Sequence, residues 1–308
     1  MQSELIDENV RQSVKKFWQD HPYLEEMNFI DLETTGLSPI VHEILEIGIL
    51  KVDPSGNITT LNQLIKPMGI ISAENAKIHG ITNALTQDSP SIQDTLPSTI
   101  EFIGNTPIIG HNVQFDCGFL IAQSIQQKIS LRRNKVYDTC LFSRQVAKKT
   151  KKHPANHKLT TLTQIYIKNS EDRIAHRALT DSLSCLQVFM KLIDTLEDHS
   201  DLHTLFFEKS FLYSLVDSSP VLDIGLKMNG MCEKDRQLLM SAIEHSNPIQ
   251  ISYQGGSLGE QLRPIRPVAL LPSQKHLVLH AECLLSKQMK NFKLKQILKV
   301  TTSEKNYV

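Results

Sequence analysis

Two carboxylates stand one residue apart in the stretch NFIDLETTGLSP, residues 28–39. Asp31 and Glu33 follow an apolar Phe-Ile pair that is typical of a buried strand. Side chains at positions i and i+2 of a strand point to the same face, so both acids would crowd one spot. Like charges that close resist joint ionisation. The spacing therefore indicates either a spot open to water or a positive charge between the two acids.

Two further carboxylates stand where helices are predicted to begin. In GHNVQFDCGFL, Asp116 follows a short buried-strand pattern and a turn of small residues. In AHRALTDSLSCLQVF, Asp181 lies near the start of a helix, and His176 precedes it by five residues. Because each acid is placed at or near the end of a regular element, several elements can bring these side chains together in one cleft.

Four acids gathered in one cleft would repel one another strongly unless divalent cations neutralised them. Oxygen ligands favour hard cations, which here means Mg²⁺ or Mn²⁺. Two such ions roughly 4 Å apart can clamp the attacking and leaving oxygens of a displacement at phosphorus. A histidine beside the acids can take the proton from the attacking water, because its ordinary pKa of ~6.5 is close to working pH.

The elements that must position these residues alternate between strands and helices. Strands are predicted from Met27 to Leu32 and in EILEIGILKV and ITTLNQLIKP, and these three are expected to form an antiparallel meander. The strands predicted next are TPIIGHN and KVYDT. The predicted helices are SIQDTLPSTIEFIG, interrupted by Pro97, then FDCGFLIAQSIQQ, 139–149, 159–167 and 177–195. This order is typical of an α/β layered domain.

Three of the acidic stretches resemble the motifs of a known nuclease family. DLETTG, HNVQFD and HRALTD are similar to the three exonuclease motifs of the DnaQ-like DEDDh 3′→5′ exonucleases, the family of the DNA polymerase III proofreading (epsilon) subunit. The stretches KIHGIT, YDTCLFSR and HKLTTL support the resemblance, which covers about residues 26–193 in the correct order. The resemblance implies an RNase H-like fold, and the histidine of the third motif places the chain in the "h" branch.

The resemblance also implies roles for individual residues. The residues expected to ligate two Mg²⁺ or Mn²⁺ ions are Asp31, Glu33, Asp116 and Asp181. His176 is the expected general base. The residues expected to bind substrate are Thr34, Thr35, Gly36 and Asn112. Of these, the glycine permits close approach of backbone to the terminal nucleotide.

The pattern changes near residue 196. Residues 197–235 are predicted to be a connector, and 236–304 a small β-rich module with short strands and Gly and Pro turns. This module resembles the WYL domain, an Sm/SH3-like barrel, and the resemblance extends to Tyr253 and Arg263 as pocket residues. The predicted organisation is a helical arm over 1–24, an exonuclease domain over 25–196, the connector and the WYL-like domain.

Composition excludes several other classes of protein. No apolar run approaches the ~20 residues needed to span a bilayer. The five cysteines are scattered and include no CxxC pair, which argues against a disulfide framework and a zinc site and fits a reducing cytosol. The net charge is zero, but residues 131–160 carry nine Lys and Arg side chains against one acid, Asp138. Such a stretch is either a solvated face or a surface for a phosphate-rich partner.

The sequence therefore predicts a cytoplasmic, metal-dependent 3′→5′ exonuclease that releases nucleoside monophosphates from single-stranded 3′ ends, with DNA favoured. A polymerase or another replication or repair protein is an expected partner, and a membrane is not. One alternative keeps the chemistry but acts on RNA, as oligoribonuclease-like enzymes do. Another is a sensing protein in which the WYL-like module binds a ligand or nucleic acid and is the functional part.

Overall fold

The structure, a computed structural model, describes residues 6–167, 176–196, 200–215, 231–255, 259, 261–273 and 276–303. The chain divides into two compact units. Unit 1 comprises Met1–Thr35, Ile44–Asp116 and Leu131–Leu215, and unit 2 comprises Gly36–Glu43, Cys117–Ser130 and Val216–Val308. The connector predicted over 197–235 lies partly outside the described residues.

Unit 1 is built on a six-stranded mixed sheet in the order β3-β2-β1-β4-β5-β6. The strands are β1 (Met27–Thr34), β2 (Ile44–Val52), β3 (Ile58–Leu64), β4 (Ile108–Gly110), β5 (Lys135–Asp138) and β6 (Phe211–Ser214). The first three strands form the predicted antiparallel meander, and β4 and β5 continue the sheet in parallel with β1. The last strand, β6, pairs antiparallel with β5 from within the segment predicted as a connector.

The register of β1 and β2 determines which side chains share a face. Asp31 lies opposite Gly48, and Glu33 lies opposite Glu46. Directly opposed residues of an antiparallel pair project to the same side of the sheet. Glu46 therefore joins the two acids of β1 on one face, and the missing side chain of Gly48 leaves space beside Asp31.

Helices follow the strands in the predicted order. The helices of this part of the chain are α1 (Glu8–Asp20), α2 (Ala73–His79), α3 (Asn83–Thr86), α4 (Ile92–Ile103), α5 (Gln114–Gln126), α6 (Thr139–Thr150), α7 (Leu159–Tyr166), α8 (Ala178–Asp194) and the short α9 (Ser200–Leu202). A π-helical turn, His203–Glu208, continues α9.

The predicted interruption of α4 at Pro97 does not occur. Proline cannot donate the backbone hydrogen bond to the preceding turn, which normally weakens a helix interior. A capping box between Ser91 and Asp94 stabilises the start of α4, and Leu96 and Ile100, on either side of Pro97, are buried. Capping and burial together keep α4 continuous through the proline.

The arm predicted over residues 1–24 contains helix α1, whose apolar face belongs to the main core of unit 1. Val14, Phe17 and Trp18 are buried in one hydrophobic cluster with Phe29 of β1 and Phe189 of α8. The indole of Trp18 has no exposed surface. Helix α1 therefore shares its core with the strand that carries Asp31 and Glu33.

Unit 2 contains a second sheet, with five antiparallel strands in the order β10-β9-β8-β7-β11. Its elements are α10 (Glu233–Glu244), β7 (Ile249–Tyr253), β8 (Arg263–Ser273), β9 (His276–Cys283), β10 (Gln288–Lys293), a 3₁₀ turn (Leu294–Gln296) and β11 (Ile297–Thr302). This confirms a β-rich C-terminal module. Among the described residues the strand pairings do not close into a barrel.

Across the described residues, no helix combines the length and the apolar character that crossing a membrane requires.

Candidate active site

The two acids of β1 lie at the carboxyl end of the strand, where the pairing with β2 shifts after Glu33. Asp31 and Glu33 project to the same face because they are two residues apart. Asp181 joins them, and each of the three acids offers one carboxylate oxygen within 4.8 Å of the others. The structure thus brings three of the predicted metal ligands into one cluster.

Asp116 reaches the same place from the first turn of α5. Its side chain is only 3 % exposed, and its Oδ1 accepts a hydrogen bond from the backbone N–H of Leu32 at 2.9 Å. Leu32 lies between Asp31 and Glu33. This bond therefore ties the acid of the second motif directly to the strand of the first motif.

Helix α8 supplies the remaining two predicted residues. Asp181 lies in its first turn, and His176 lies two residues before the helix begins. The backbone N–H of His176 donates to Asp181 Oδ2 at 3.1 Å, and the backbone of His176 is left-handed, with φ of 63°. The side chain of His176 is exposed. A tight turn at the helix start thus places an accessible imidazole beside the acids.

Burial and mutual repulsion change the ionisation of the acids. Burial, followed by the charge of Asp181, raises the pKa of Glu33 to about 8, and burial also raises the pKa of Asp116 to about 8. The pKa of Asp31 is raised well above its ordinary value by burial and then by Asp116, and burial raises the pKa of Asp181. The protein alone does not neutralise this cluster, and Glu33 and Asp116, with pKa values of about 8, hold protons near neutral pH when no cation is bound.

These residues surround one cleft in unit 1. Its lining comprises Asp31, Leu32, Glu33, His111, Asn112, Phe115, Asp116, His176 and Asp181. The cleft thus contains all five predicted catalytic residues and one predicted substrate residue, Asn112.

The second histidine of the cleft, His111, has both ring nitrogens engaged. Its Nε2 lies 2.7 Å from the backbone carbonyl of His157, and its Nδ1 lies 2.9 Å from Thr139 Oγ1. A carbonyl oxygen can only accept, so Nε2 must carry a proton and donate. His111 is therefore not available as a base, whereas the exposed imidazole of His176 is.

Asp138, which in sequence is as readily a helix cap as a functional acid, does cap α6 and also supports the cleft. Its Oδ1 accepts from the backbone N–H groups of Cys140 and Leu141 at 2.7 and 3.1 Å. The same oxygen accepts from the backbone N–H of Asn112 at 3.3 Å. Asn112 has a left-handed backbone, with φ of 64°. Asp138 thus holds the turn that leads into Asp116.

Three predicted substrate residues, Thr34, Thr35 and Gly36, follow the acids along the chain but do not line the cleft itself. Thr34 ends β1, and the backbone carbonyl of Thr35 accepts from Asn75 Nδ2. A Cβ atom on Gly36 would lie 2.4 Å from the His42 ring, so a larger residue there would displace that ring. Their contact with a nucleotide stays a prediction.

Glu46 was missed by the sequence analysis. It is 1 % exposed and lies directly opposite Glu33 on the neighbouring strand β2. Its Oε1 and Oε2 accept from Arg177 Nη2 and Nε at 2.6 and 2.9 Å, and Oε2 also accepts from the backbone N–H of Ala178 at 3.0 Å. The signal in the sequence was a charged residue in the middle of the apolar strand EILEIGILKV.

The donor set of the cleft fits a hard divalent cation. Three carboxylates converge, and oxygen donors of this kind are the ligands that hard cations prefer. All three donors are carboxylate oxygens, and the group includes no cysteine sulfur or histidine nitrogen. The acids are thus suited to a hard divalent cation rather than to a soft metal.

In unit 2, Tyr253 and Arg263 flank one aromatic ring. Tyr253 packs edge-on against Phe292 with 5.1 Å between ring centroids, and the Arg263 guanidinium lies 5.8 Å from the centre of the same ring. Arg263 is 5 % exposed, and the Tyr253 hydroxyl donates to Gln296 Oε1 at 2.8 Å. The two residues carried over from the WYL resemblance are therefore neighbours inside this sheet.

Comparison with known proteins supports both parts of the chain. A family model described as Exonuclease (RNase_T) matches residues 29–189, and a model described as WYL domain matches residues 236–302. The chain is 33 % identical over 171 residues to DNA polymerase III PolC-type of Caldanaerobacter subterraneus subsp. tengcongensis, which covers 54 % of this chain and 12 % of that protein. It is 30 % identical over 169 residues to DNA polymerase III subunit epsilon of Aquifex aeolicus, which covers 54 % of this chain and 80 % of that protein.

Among solved structures, exonuclease I is similar with a TM-score of 0.50 and 14 % sequence identity, over 91 % of this chain and 65 % of that chain. At this identity the likeness concerns the fold alone, and it agrees with an RNase H-like α/β fold. The chain spans only a small part, 12 %, of the PolC-type relative's length.

Proposed function

This chain belongs to the exonuclease family and carries a WYL domain at its C-terminus, and from that membership we propose that it releases nucleoside monophosphates from the 3′ end of a nucleic-acid strand. The observation that carries the proposal is the meeting of four carboxylates and an accessible histidine in one cleft. Single-stranded DNA is the favoured substrate. The names of the relatives, DNA polymerase III PolC-type and subunit epsilon, support a DNA substrate and a replication or repair partner.

The residues that would hold two Mg²⁺ or Mn²⁺ ions are Asp31, Glu33, Asp116 and Asp181. When bound, these ions would activate the attacking water and stabilise the leaving oxygen of the cleaved phosphodiester. The side chains are held ready by their own contacts. The hydrogen bond from the Leu32 N–H fixes Asp116 against β1, and the turn before α8 fixes Asp181 through the N–H of His176.

His176 is the proposed general base. Its imidazole is exposed at the cleft, and it can take a proton from water on a ring nitrogen. His111 does not compete for this role because the His157 carbonyl and Thr139 engage its two nitrogens. Thr34, Thr35, Gly36 and Asn112 are proposed to contact the terminal nucleotide.

The remaining proposals concern organisation and location. We assign the helical arm to 1–24, the exonuclease domain to 25–196 and the WYL domain to 236–304, with 197–235 as the connector. For the WYL domain we propose an Sm/SH3-like barrel, with which the order of the five C-terminal strands is compatible. The five cysteines are all unpaired, which supports a reducing compartment, the cytoplasm.

Product analysis on end-labelled oligonucleotides tests the function. Matched single-stranded DNA and RNA are incubated with Mg²⁺, Mn²⁺ or EDTA, and the label is placed at the 5′ end in one set and at the 3′ end in the other. We expect 5′-labelled DNA to shorten stepwise, 3′-labelled DNA to yield labelled mononucleotide at once, and EDTA to stop both. The double variant with Asp31→Ala and Glu33→Ala is the inactive control. Shortening from the 5′ end, or activity retained in that variant, would refute the proposal.

The same assay separates the RNA alternative from the DNA proposal. When DNA and RNA compete at equal concentration in one reaction, the ratio of their initial rates is the ratio of kcat/KM for DNA and RNA. A ratio above one supports DNA, and a ratio well below one would assign the enzyme to RNA with the same chemistry.

A further inference from the structure

The start of α8, which carries His176 and Asp181, is bound to strand β2 rather than capped by its own residues. The residue preceding the helix, Arg177, makes no side-chain cap. Instead the carboxylate of Glu46 on β2 accepts from the Ala178 N–H and from two nitrogens of the Arg177 guanidinium. An acid at a helix N-terminus is also favoured by the helix dipole. Glu46 thus acts as an external cap for α8.

A second residue of β2 allows this close approach. A Cβ atom on Gly48 would lie 2.3 Å from backbone atoms of Ala178 and Leu179, closer than any side chain permits. The hydroxyl of Ser182 donates to the Gly48 carbonyl at 2.8 Å. The first turn of α8 therefore rests directly on the backbone of β2, on the face that also carries Asp31 and Glu33.

The contacts of the start of α8 with β2 lie next to His176, the proposed base. His176 is immediately before Arg177, and its left-handed backbone is uncommon for a residue with a side chain. Such a conformation persists when its surroundings over-determine it. The Asp181 carboxylate holds the N–H of His176 from one side, and the Glu46–Arg177 pair fixes the next residue from the other.

Glu46 is not itself suited to bind a cation. Both of its carboxylate oxygens are already used, one by Arg177 and the other by Arg177 and Ala178. The group of acids whose oxygens converge comprises Asp31, Glu33 and Asp181. Glu46 is next to this group but faces its own partners.

We propose that Glu46 is a positioning residue that sets the place of His176 through the bidentate pair with Arg177. The inference rests on the proposed function, in which His176 is the base. A bidentate ion pair with a buried carboxylate defines both distance and orientation, whereas a lysine ammonium at the same place would define only distance.

A double-mutant cycle tests this role. The variants are Glu46→Gln, His176→Ala and the two combined, and the assay follows hydrolysis of the p-nitrophenyl ester of thymidine 5′-monophosphate with Mn²⁺. We expect Glu46→Gln to lower kcat about 10- to 100-fold, the usual effect of losing an orienting partner, with KM changed less than about 3-fold. In the His176→Ala background the same change should cost less than about 2-fold, because the residue it positions is already absent. An equal loss in both backgrounds would overturn the proposal.

Two further variants separate positioning from general loosening of α8. Arg177→Lys keeps the charge but loses the fork and should reproduce part of the kcat loss. Ser182→Ala removes another bond between α8 and β2, and we expect a lower Tm with kcat within about 2-fold of the parent. If Ser182→Ala lowers kcat as much as Glu46→Gln, the specific role of Glu46 is refuted.

Selective ¹⁵N-histidine labelling gives a readout that does not depend on activity. The backbone amide signal of His176, assigned by its loss in His176→Ala, should shift in Glu46→Gln and Arg177→Lys, while that of His245 should not. An unchanged His176 signal would overturn the inference even in an active enzyme. Absence of any hydrolysis by the parent protein would instead refute the proposed function, and the amide shift would still decide the position of His176.

Discussion

Replacing Glu33 by Gln should stabilise unit 1 at pH 8 in the absence of divalent cations, and should remove metal-dependent hydrolysis. In the folded protein, burial and the neighbouring acids raise the pKa of Glu33 from 4.5 to about 8. The folded chain therefore binds a proton that the unfolded chain has released. Glutamine resembles the protonated acid in shape and is neutral at every pH.

The sign and size of the effect follow from proton linkage. A raised pKa gives stability that is fully present below pH 4.5 and is lost as the pH rises towards about 8. A shift from 4.5 to about 8 corresponds, at ~1.36 kcal/mol per pH unit, to a ceiling of about 5 kcal/mol. Because the charges of Asp181 and Asp116 contribute to this shift, the acids titrate together, and we expect about half of this, ~2–3 kcal/mol, for the Glu33→Gln change.

The measurement uses the only tryptophan of the chain. Trp18 is fully buried in the core of unit 1, so its fluorescence reports the unfolding of that unit. Urea unfolding in EDTA is followed at pH 5 and pH 8 for the parent and the variant. At pH 5 the two should be nearly equally stable, and at pH 8 the variant should unfold at higher urea.

Added Mn²⁺ provides the control, because it should stabilise the parent protein and have less effect on the variant. Two results would refute the reasoning. One is a variant that is no more stable than the parent at pH 8 in EDTA. The other is a stability gain of the same size at pH 5, which would point to packing rather than to ionisation.

Three further predictions concern the metal affinity of the acids, the contact of α8 with β2 and the lysines near the end of α6. The affinity for Mn²⁺ should rise as the pH approaches 8, by about 10-fold per pH unit for each proton that binding releases. The reason is that Glu33 and Asp116 have pKa values of about 8 and must lose protons to bind the ion. Isothermal titration at pH 6, 7 and 8 measures this affinity, and an affinity that does not change with pH contradicts the prediction. Gly48→Ala should destabilise unit 1 by about 1–3 kcal/mol, because the new methyl overlaps the Ala178 backbone; the Trp18 urea curve measures it, and unchanged stability would mean that α8 does not rest on β2. Neutralising exposed lysines near the end of α6 should raise KM for long DNA and flatten its salt dependence, without affecting a mononucleotide ester. The lysines to be changed to Gln are Lys148, Lys151 and Lys152. Lys149→Gln is the matched control, because the Lys149 ammonium already pairs with the Asp201 carboxylate at 2.9 Å. We expect this control to raise KM less than the other three substitutions. An equal rise in KM would contradict the idea that the unpaired lysine charges attract the DNA.

The convergence of the acidic cleft could be predicted because each of its acids lies in a short local pattern at the end of an element. Asp31 and Glu33 end a strand, and Asp116 and Asp181 stand in the first turns of helices. Local sequence contains that information. Their meeting in one place follows from the order of strands and helices in an α/β sheet.

Glu46 could not be assigned from local sequence, because its partner Arg177 is 131 residues away. Only the register of β1 and β2 and the packing of α8 bring the two together. Strand β6 was missed for a similar reason. Its four residues, Phe211–Ser214, have no clear alternation of polar and apolar types, and they become a strand by pairing with the exposed edge of β5.

The continuity of α4 through Pro97 also depends on more than the local residue. Residue preference predicts a break there, whereas the capping box at Ser91 and the buried face of Leu96 and Ile100 favour one helix. Tertiary burial decided this case. Whether the C-terminal sheet closes into a barrel cannot be derived from the alternation of its strands, since alternation defines faces but not the pairing of the outermost strands.

Helix α1 has a practical consequence for any laboratory that wishes to isolate the nuclease part. The family match begins at residue 29, after this helix has ended at Asp20. A fragment cut at the matched boundary would lack the indole of Trp18, which is buried in the same hydrophobic cluster as Phe29 and Phe189, and removing a buried side chain of that size costs about 3–5 kcal/mol. Such a fragment would be poorly folded, and its low turnover would be mistaken for a defect of chemistry. Cloning from residue 6 or earlier retains the helix and avoids that error.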